Sequence, residues 1–468
     1  MAAITSNPSN RLTGDVPVPG DKSLSHRALM IGASAVGETE ITGLLGAEDI
    51  LATAGALRAL GIEIEVDNDD AGGQGALGAD PIADPIWRLW GRGTGGLAEP
   101  AGVLDLGNSG TGARLLIGLL ASHPFPSVVT GDASLRERPM ARITEPLQRM
   151  GAGFTSRDGG RLPITVHGSD RLRPGNETLL VASAQVKSAI LLAGLNCQGE
   201  TTVIEPNPSR DHTELMLRHF GAEVGIADAA GGGRRITLAG YRELAGTKVT
   251  VPGDISSAAF PLVAALLVPG SKLRLKRVGL NPLRAGLLQC LQDMGARLSV
   301  SDASDQGGEP IADLTAEHGP LAGITVPAAR APSMIDEYPI LAVAAACAAG
   351  TSHFEGIGEL RVKESDRLAA MAQGLAASGI EVEEGADSLT IHGRGGAPRG
   401  GAAIAVQLDH RIAMAFLVLG AAAEKPVTID DGATIATSFP GFLALMNRIG
   451  ASMEAAMETN GETNGAAS

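Results

Sequence analysis

The chain has 468 residues, 44% of them hydrophobic, with 37 basic and 52 acidic side chains and a formal charge of −15. That length can bury a sizeable core in two or three domains, and the negative balance argues against a general nucleic-acid binder. Aromatic residues at 3% offer no set of stacking platforms for single strands, and 63 glycines point to closely packed small-residue elements.

In chain order, MAAITSNPSNRL carries no apolar signal-peptide core, so a cytoplasmic protein is expected. The first polar turn, PGDKSLSHR (19–27), leads into an apolar helix. Ser23 and Arg27 share a helical face with Lys22 beside them, which suits a phosphate at a helix start. An N-cap at Asp21 or Ser23 with Arg27 as a surface charge fits the same residues. The turn is not a Walker A loop, because Asp21 separates Gly20 from Lys22. Residues 67–86 hold five Asp and no base and read as a mobile surface loop. LGNSGTGAR (106–114) is Gly-rich and lets backbone N–H groups approach a ligand; Arg138 follows just beyond the next strand. Further polar turns are VASAQVK (181–187), VPGDISS (251–257), PSMIDEYP (332–339) and LDHR (408–411), each ahead of an apolar helix. Asp336 fits either an N-cap or a general base beside a desolvated cleft. In RVKESDR, Lys363 and Arg367 are four apart, a like-charge spacing that needs a counter-anion; Glu364 and Asp366 could supply it. The segment from Ser452 to Ser468, with three Glu and no base, reads as a mobile tail.

A repeat underlies this order. Six helix-like stretches end at Gly61, Gly151, Gly221, Gly295, Gly379 and Gly450, 70 to 90 residues apart, and each is followed by an alternating segment. Each glycine is expected at the left-handed position that closes a helix. In phase with them run six nearly all-apolar helices, which are expected to be buried. Six units divide naturally into two domains of three. If the buried helices run parallel, their N-termini line a cleft that favours anions, and Lys22, Arg27, Arg114, Arg138 and Arg411 would make it basic. Cys197, Cys290 and Cys347 show no CxxC spacing and are expected to be buried thiols. No HExxH occurs, so no metal is expected. The uncharged stretches 255–271 and 338–354 read as core helices rather than membrane spans.

Taken together, PGDKSLSHRALM, LGNSGTGARLL, GDASLRERPM, SAQVKSAILLAGLN, RDHTE, VPGDISSAAF, SMIDEYPILAVAAA, LRVKESDRL, LDHRIAMAF and IATSFPGF make the chain, from Arg11 to Ala451, resemble the 5-enolpyruvylshikimate-3-phosphate synthase family, nearest its class II subgroup. The resemblance implies an α/β, two-domain enolpyruvyl transferase fold, an inside-out α/β barrel of six βαβαββ repeats. One domain would comprise 1–20 with 252–452, the other 21–251, and 453–468 would be a disordered tail. It further implies an enzyme that needs no metal or cofactor and transfers the enolpyruvyl group of phosphoenolpyruvate to the 5-hydroxyl of shikimate 3-phosphate, releasing phosphate. The lack of an obvious exposed apolar stripe points to a monomer, and neither nucleic acid nor a membrane is expected as a partner. That step serves the shikimate pathway to chorismate and the aromatic amino acids.

By the matching motifs, Lys22, Ser23, Arg27, Ser183, Ala184, Gln185, Arg210, Asp336 and Lys363 would hold shikimate 3-phosphate. Lys22, Gly110, Arg138, Gln185, Arg367 and Arg411 would hold phosphoenolpyruvate, with Asp336, Glu364 and Lys22 as catalytic groups. The two substrates together carry about −5 to −6, which gives an acidic protein a reason to keep a basic cleft. Thr437 stands where some members of the family have Lys. Gly110 stands where some herbicide-insensitive members have Ala, which implies sensitivity to glyphosate. UDP-N-acetylglucosamine enolpyruvyl transferases share the fold but carry a reactive cysteine in the loop matching GDASLRERPM, where this chain has none. A non-catalytic anion-binding protein on the same scaffold is the third reading.

Overall fold

The computed structural model describes residues 3–67 and 85–456. Most of both acidic segments, 68–84 and 457–468, therefore lies outside the described residues. The expected tail needs one correction at its start. Ser452–Ala455 is a strand, in antiparallel register with Ile4–Asn7 from Ile4↔Ala455 to Asn7↔Ser452.

All six glycine predictions hold. Gly61, Gly151, Gly221, Gly295, Gly379 and Gly450 have φ between 84° and 113° or close below, at 83° for Gly295. Each donates its N–H to the carbonyl three residues back, and the next residue donates to the carbonyl five residues back; Gly61→Arg58 with Ile62→Leu57 and Gly450→Asn447 with Ala451→Met446 are the first and last pairs. This is the Schellman closure, and a left-handed residue there favours glycine because it lacks a Cβ. The six apolar helices are Lys22–Ala33, Gly110–Leu120, Ala184–Gly194, Ile255–Leu267, Tyr338–Cys347 and His410–Ala422. They are buried along most of their length. Glycine lets them touch at the backbone: a Cβ on Gly118 would stand 2.5 Å from the carbonyl oxygen of Ala189 on the neighbouring helix.

Among the described residues the strands form six sheets with one wiring. A parallel pair lies at one edge and two antiparallel strands follow, as in Leu104–Asp105, Ser127–Thr130, Arg161–Val166 and Phe154–Arg157. A parallel pair needs a crossover, and in four of the six sheets the buried helix between the two strands provides it. Buried apolar side chains gather in two clusters, one drawn from 24–251 and the other from 4–16 with 255–453.

The chain passes between these clusters at two adjacent points. Thr13–Pro17 precedes the Lys22 helix but pairs with Lys272–Gly279, while Lys248–Thr250 precedes the Ile255 helix but pairs with Ala35–Thr42. The two units thus exchange their first strands. At the crossing, two copies of one tetrapeptide meet, Val18-Pro19-Gly20-Asp21 and Val251-Pro252-Gly253-Asp254. Asp21 N donates to Pro252 O and Asp254 N to Pro19 O, both at 2.8 Å. A Cβ on Gly20 would lie 1.9 Å from Gly43 O, so only glycine fits there. Cys197 and Cys290 are buried, whereas Cys347 is half-buried; none is in a disulfide. No helix among the described residues is long and apolar enough to cross a membrane.

Candidate active site

The N-termini of the buried helices converge, as the repeat implied. His26 of the first helix reaches Ser109, the cap of the second, at 3.2 Å. Thr111 of the second accepts from Gln185 of the third at 2.9 Å. Across the crossing, Ser256 of the fourth bonds Glu337 ahead of the fifth, and Arg411 of the sixth donates to Asp336 O at 3.2 Å. Asp21, Ser109, Ser183, Asp254 and Asp409 cap their helices with side-chain oxygens. Asp336 caps nothing: its helix starts at Tyr338 after Glu337.

Instead, Asp336 faces four cations drawn from three regions of the chain. Its carboxylate lies 2.6 Å from Arg210, 3.4 Å from Arg367 and 3.6 Å from Lys363, while Arg411 holds its carbonyl. Burial raises the Asp336 pKa, but Lys363, Arg210, Arg411 and Arg284 outweigh it and hold the group well below the usual carboxylate range. Glu364 pairs with Arg138 at 3.2 Å and with Arg367. Burial again opposes its ionisation, and Arg367 and Arg138 again prevail. Burial lowers the pKa of Lys363 in spite of Asp336. The like-charged Lys363 and Arg367 are therefore compensated by Glu364, Asp336 and Asp409, the last 2.8 Å from Arg367 Nε. Asp366 caps its own helix and binds Arg361 instead.

Arg138 also donates to Asn108 Oδ1 at 2.5 Å. Beside it, Arg114 donates to Gln185 at 3.0 Å, and burial with the nearby Arg138 lowers its pKa to about 10. Arg138–Glu364, Arg210–Asp336 and Arg142–Glu359 each join a residue of the 24–251 core region to one of the other.

Among the described residues, none of the remaining expected ones hydrogen-bonds or ion-pairs with the Asp336 or Glu364 carboxylate. Lys22 pairs with Asp49 at 3.0 Å. Arg27 is no surface charge: it is 3% exposed and donates to Thr213, Ser188 and Ser23 O. Burial lowers its pKa to about 10. Ser183, Ala184 and Gln185 form the start of one helix, and Gly110 is the first residue of another. Thr437 turns its hydroxyl to Thr434 O. His410 is held well below 6.5 by burial and by the charges of Lys22 and Arg411.

Sequence reading passed over Asp49, Asn108, Thr111, Arg284, Glu337 and Asp409. Asp409 had a signal in LDHR, being the residue before a buried helix. Gln407 and Leu408 ahead of it take left-handed φ of 51° and 58°, uncommon for residues with a Cβ. The repeated VPGD was the visible mark of the crossing.

Two strand-exchanged α/β halves thus bring helix N-termini and five basic side chains to two carboxylates. The family model for EPSP synthase (3-phosphoshikimate 1-carboxyvinyltransferase) matches residues 6–446. The 3-phosphoshikimate 1-carboxyvinyltransferase of Paramagnetospirillum magneticum is 61% identical over 440 residues, covering 94% of this chain and 95% of that one. The solved EPSP synthase of Acinetobacter baumannii superposes with a TM-score of 0.83 at 44% identity, over 98% of this chain and 100% of the other. The enolpyruvyl transferase NikO of Streptomyces tendae, 18% identical, shares the fold over 97% of this chain and 99% of its own, with a TM-score of 0.74. The chain belongs to the EPSP synthase family and is an enzyme with its two-domain α/β fold.

Proposed function

We propose that this enzyme transfers the enolpyruvyl group of phosphoenolpyruvate to the 5-hydroxyl of shikimate 3-phosphate, within the shikimate pathway. The observation that carries the reading is the array of Asp336 and Glu364 among Arg138, Arg210, Lys363, Arg367 and Arg411 at converging helix starts. Phosphate and carboxylate groups replace the protein's own carboxylates as partners of these cations. Shikimate 3-phosphate binds Lys22, Ser23, Arg27, Ser183, Ala184, Gln185, Arg210, Asp336 and Lys363. Phosphoenolpyruvate binds Lys22, Gly110, Arg138, Gln185, Arg367 and Arg411.

In the first step the methylene carbon of phosphoenolpyruvate gains a proton and the 5-hydroxyl oxygen bonds to the adjacent carbon. The product is a tetrahedral ketal phosphate. Loss of a methyl proton and of phosphate then restores the double bond. Asp336 takes the hydroxyl proton, and Glu364 and Lys22 move protons at the methylene and the phosphate. The cations around Asp336 keep it ionised and also make it a weak base. Its proton affinity rises when the substrate phosphate satisfies Arg210 and Lys363. We assign residues 21–251 to one domain and 1–20 with 252–455 to the other, and we infer a cytoplasmic monomer. Phosphate release from phosphoenolpyruvate, measured with shikimate 3-phosphate, with UDP-N-acetylglucosamine and with no acceptor, tests the reading. Turnover only with shikimate 3-phosphate is expected; turnover with the nucleotide sugar, or with neither, overturns it.

A further inference from the structure

Next to Asp336 and Arg411 lies a buried cluster, Arg284, Asp254, Ser256 and Glu337, that the chemistry above does not use. Arg284 is 3% exposed, and Asp254, Ser256 and Glu337 around it are 1% to 4% exposed. Arg284 donates to one oxygen of Glu337 at 2.6 Å and to Ser256 Oγ, and it stands 3.8 Å from Asp254. The other oxygen of Glu337 accepts from Ser256 Oγ and lies 3.5 Å from Arg411. Arg411 in turn holds the carbonyl of Asp336. An unbroken line of contacts thus runs from the strand crossing at Asp254 to the carboxylate-bearing turn. Glu337 sits between two guanidinium groups, and they compete for it. With Arg284 in place, Glu337 is neutralised from below. Without it, Arg411 becomes the one cation in contact with a buried carboxylate, and such a pair is hard to separate.

We propose that Arg284 is a positioning residue for the enolpyruvyl transfer: by holding the Glu337 carboxylate it leaves the Arg411 guanidinium available to the phosphoenolpyruvate anion. This rests on the assignment of Arg411 and Asp336 made above. The groups in contact with the Glu337 carboxylate are Arg284, Ser256 and, from the last buried helix, Arg411. Asp254 and Asp21 add negative charge beside Arg284.

The test is steady-state kinetics of the full chain from pH 6 to 9, with each value compared with wild type at the same pH. In Arg284→Met the KM for phosphoenolpyruvate rises about tenfold at pH 8, the equivalent of one pKa unit of lost pairing, while the KM for shikimate 3-phosphate stays put. Adding Glu337→Gln removes both buried charges and returns the phosphoenolpyruvate KM to wild type. If the single variant does not fold, Arg284→Lys carries the test, with a smaller rise confined to the same substrate. Equal rises for both substrates, an unmoved phosphoenolpyruvate KM, or no recovery in the double variant would overturn the proposal. Absence of wild-type turnover sinks the functional reading and this proposal with it, whereas normal wild-type rates with an unmoved variant sink the proposal alone.

Discussion

Gly110→Ala is a one-carbon perturbation whose consequence follows from two distances. Gly110 opens its helix without a left-handed φ, so its backbone does not demand glycine; its surroundings do. A Cβ there would stand 2.8 Å from Arg138 Nη1 and 3.0 Å from Arg114 Nη1. Ordinary contact requires roughly half an ångström more, so both guanidinium groups must move. They are side-chain ends and can move, which spares the fold, and alanine favours the helix by up to about 1 kcal/mol. Arg138 is tied to Glu364 and Asn108, and Arg114 to Gln185, so the displacement falls on the proposed phosphoenolpyruvate ligands. Loss of one charge-assisted hydrogen bond to that substrate amounts to about 1.5–3 kcal/mol. The phosphoenolpyruvate KM should therefore rise roughly 10- to 150-fold at about 1.4 kcal/mol per decade. The KM for shikimate 3-phosphate and the melting temperature should hardly change, and glyphosate inhibition should weaken in parallel. Phosphate-release kinetics with each substrate varied in turn, beside a thermal melt, read all of this. An unchanged phosphoenolpyruvate KM, or an equal rise for both substrates, would refute the steric argument.

Two other outcomes follow from the charges. Asp336→Ala should keep shikimate 3-phosphate binding by calorimetry but lose turnover by on the order of 10² or more; near-normal turnover removes Asp336 from the mechanism. Asp254, buried beside Asp21, has its pKa pushed up to about 7 by burial and that neighbour. The folded chain then binds a proton that the unfolded chain has released, so this group costs stability progressively as pH rises from about 4 to about 7. Asp254→Asn lacks that slope, and its melting temperature relative to wild type should climb between pH 5 and pH 8; a constant difference contradicts the assignment.

How much of this was legible beforehand depended on the range of the interaction. Gly61 and its five counterparts could be placed because a left-handed helix closure is a property of a few consecutive residues. The acceptance of Asp21 and Ser109 as caps was open to the same local reading, since each serves an N–H within three residues. The recurring motifs also carried the family, and with it Asp336, Glu364 and the arginines. The burial of Arg27 was not legible, because its partners, Thr213 and Ser188, lie far along the chain.

The sequence by itself determined where helices start and stop, which of them are buried, and which side chains stand at their starts. Those are consequences of backbone stereochemistry and apolar periodicity, which act over single turns. Only the tertiary structure decided that two units exchange strands at paired VPGD turns and that Ser452–Ala455 joins the N-terminal strand. It also decided that Asp336 faces Arg210, Lys363 and Arg367 instead of capping its helix. Whether a carboxylate stays ionised depends on charges brought within a few ångströms by folding, and no local pattern encodes that distance.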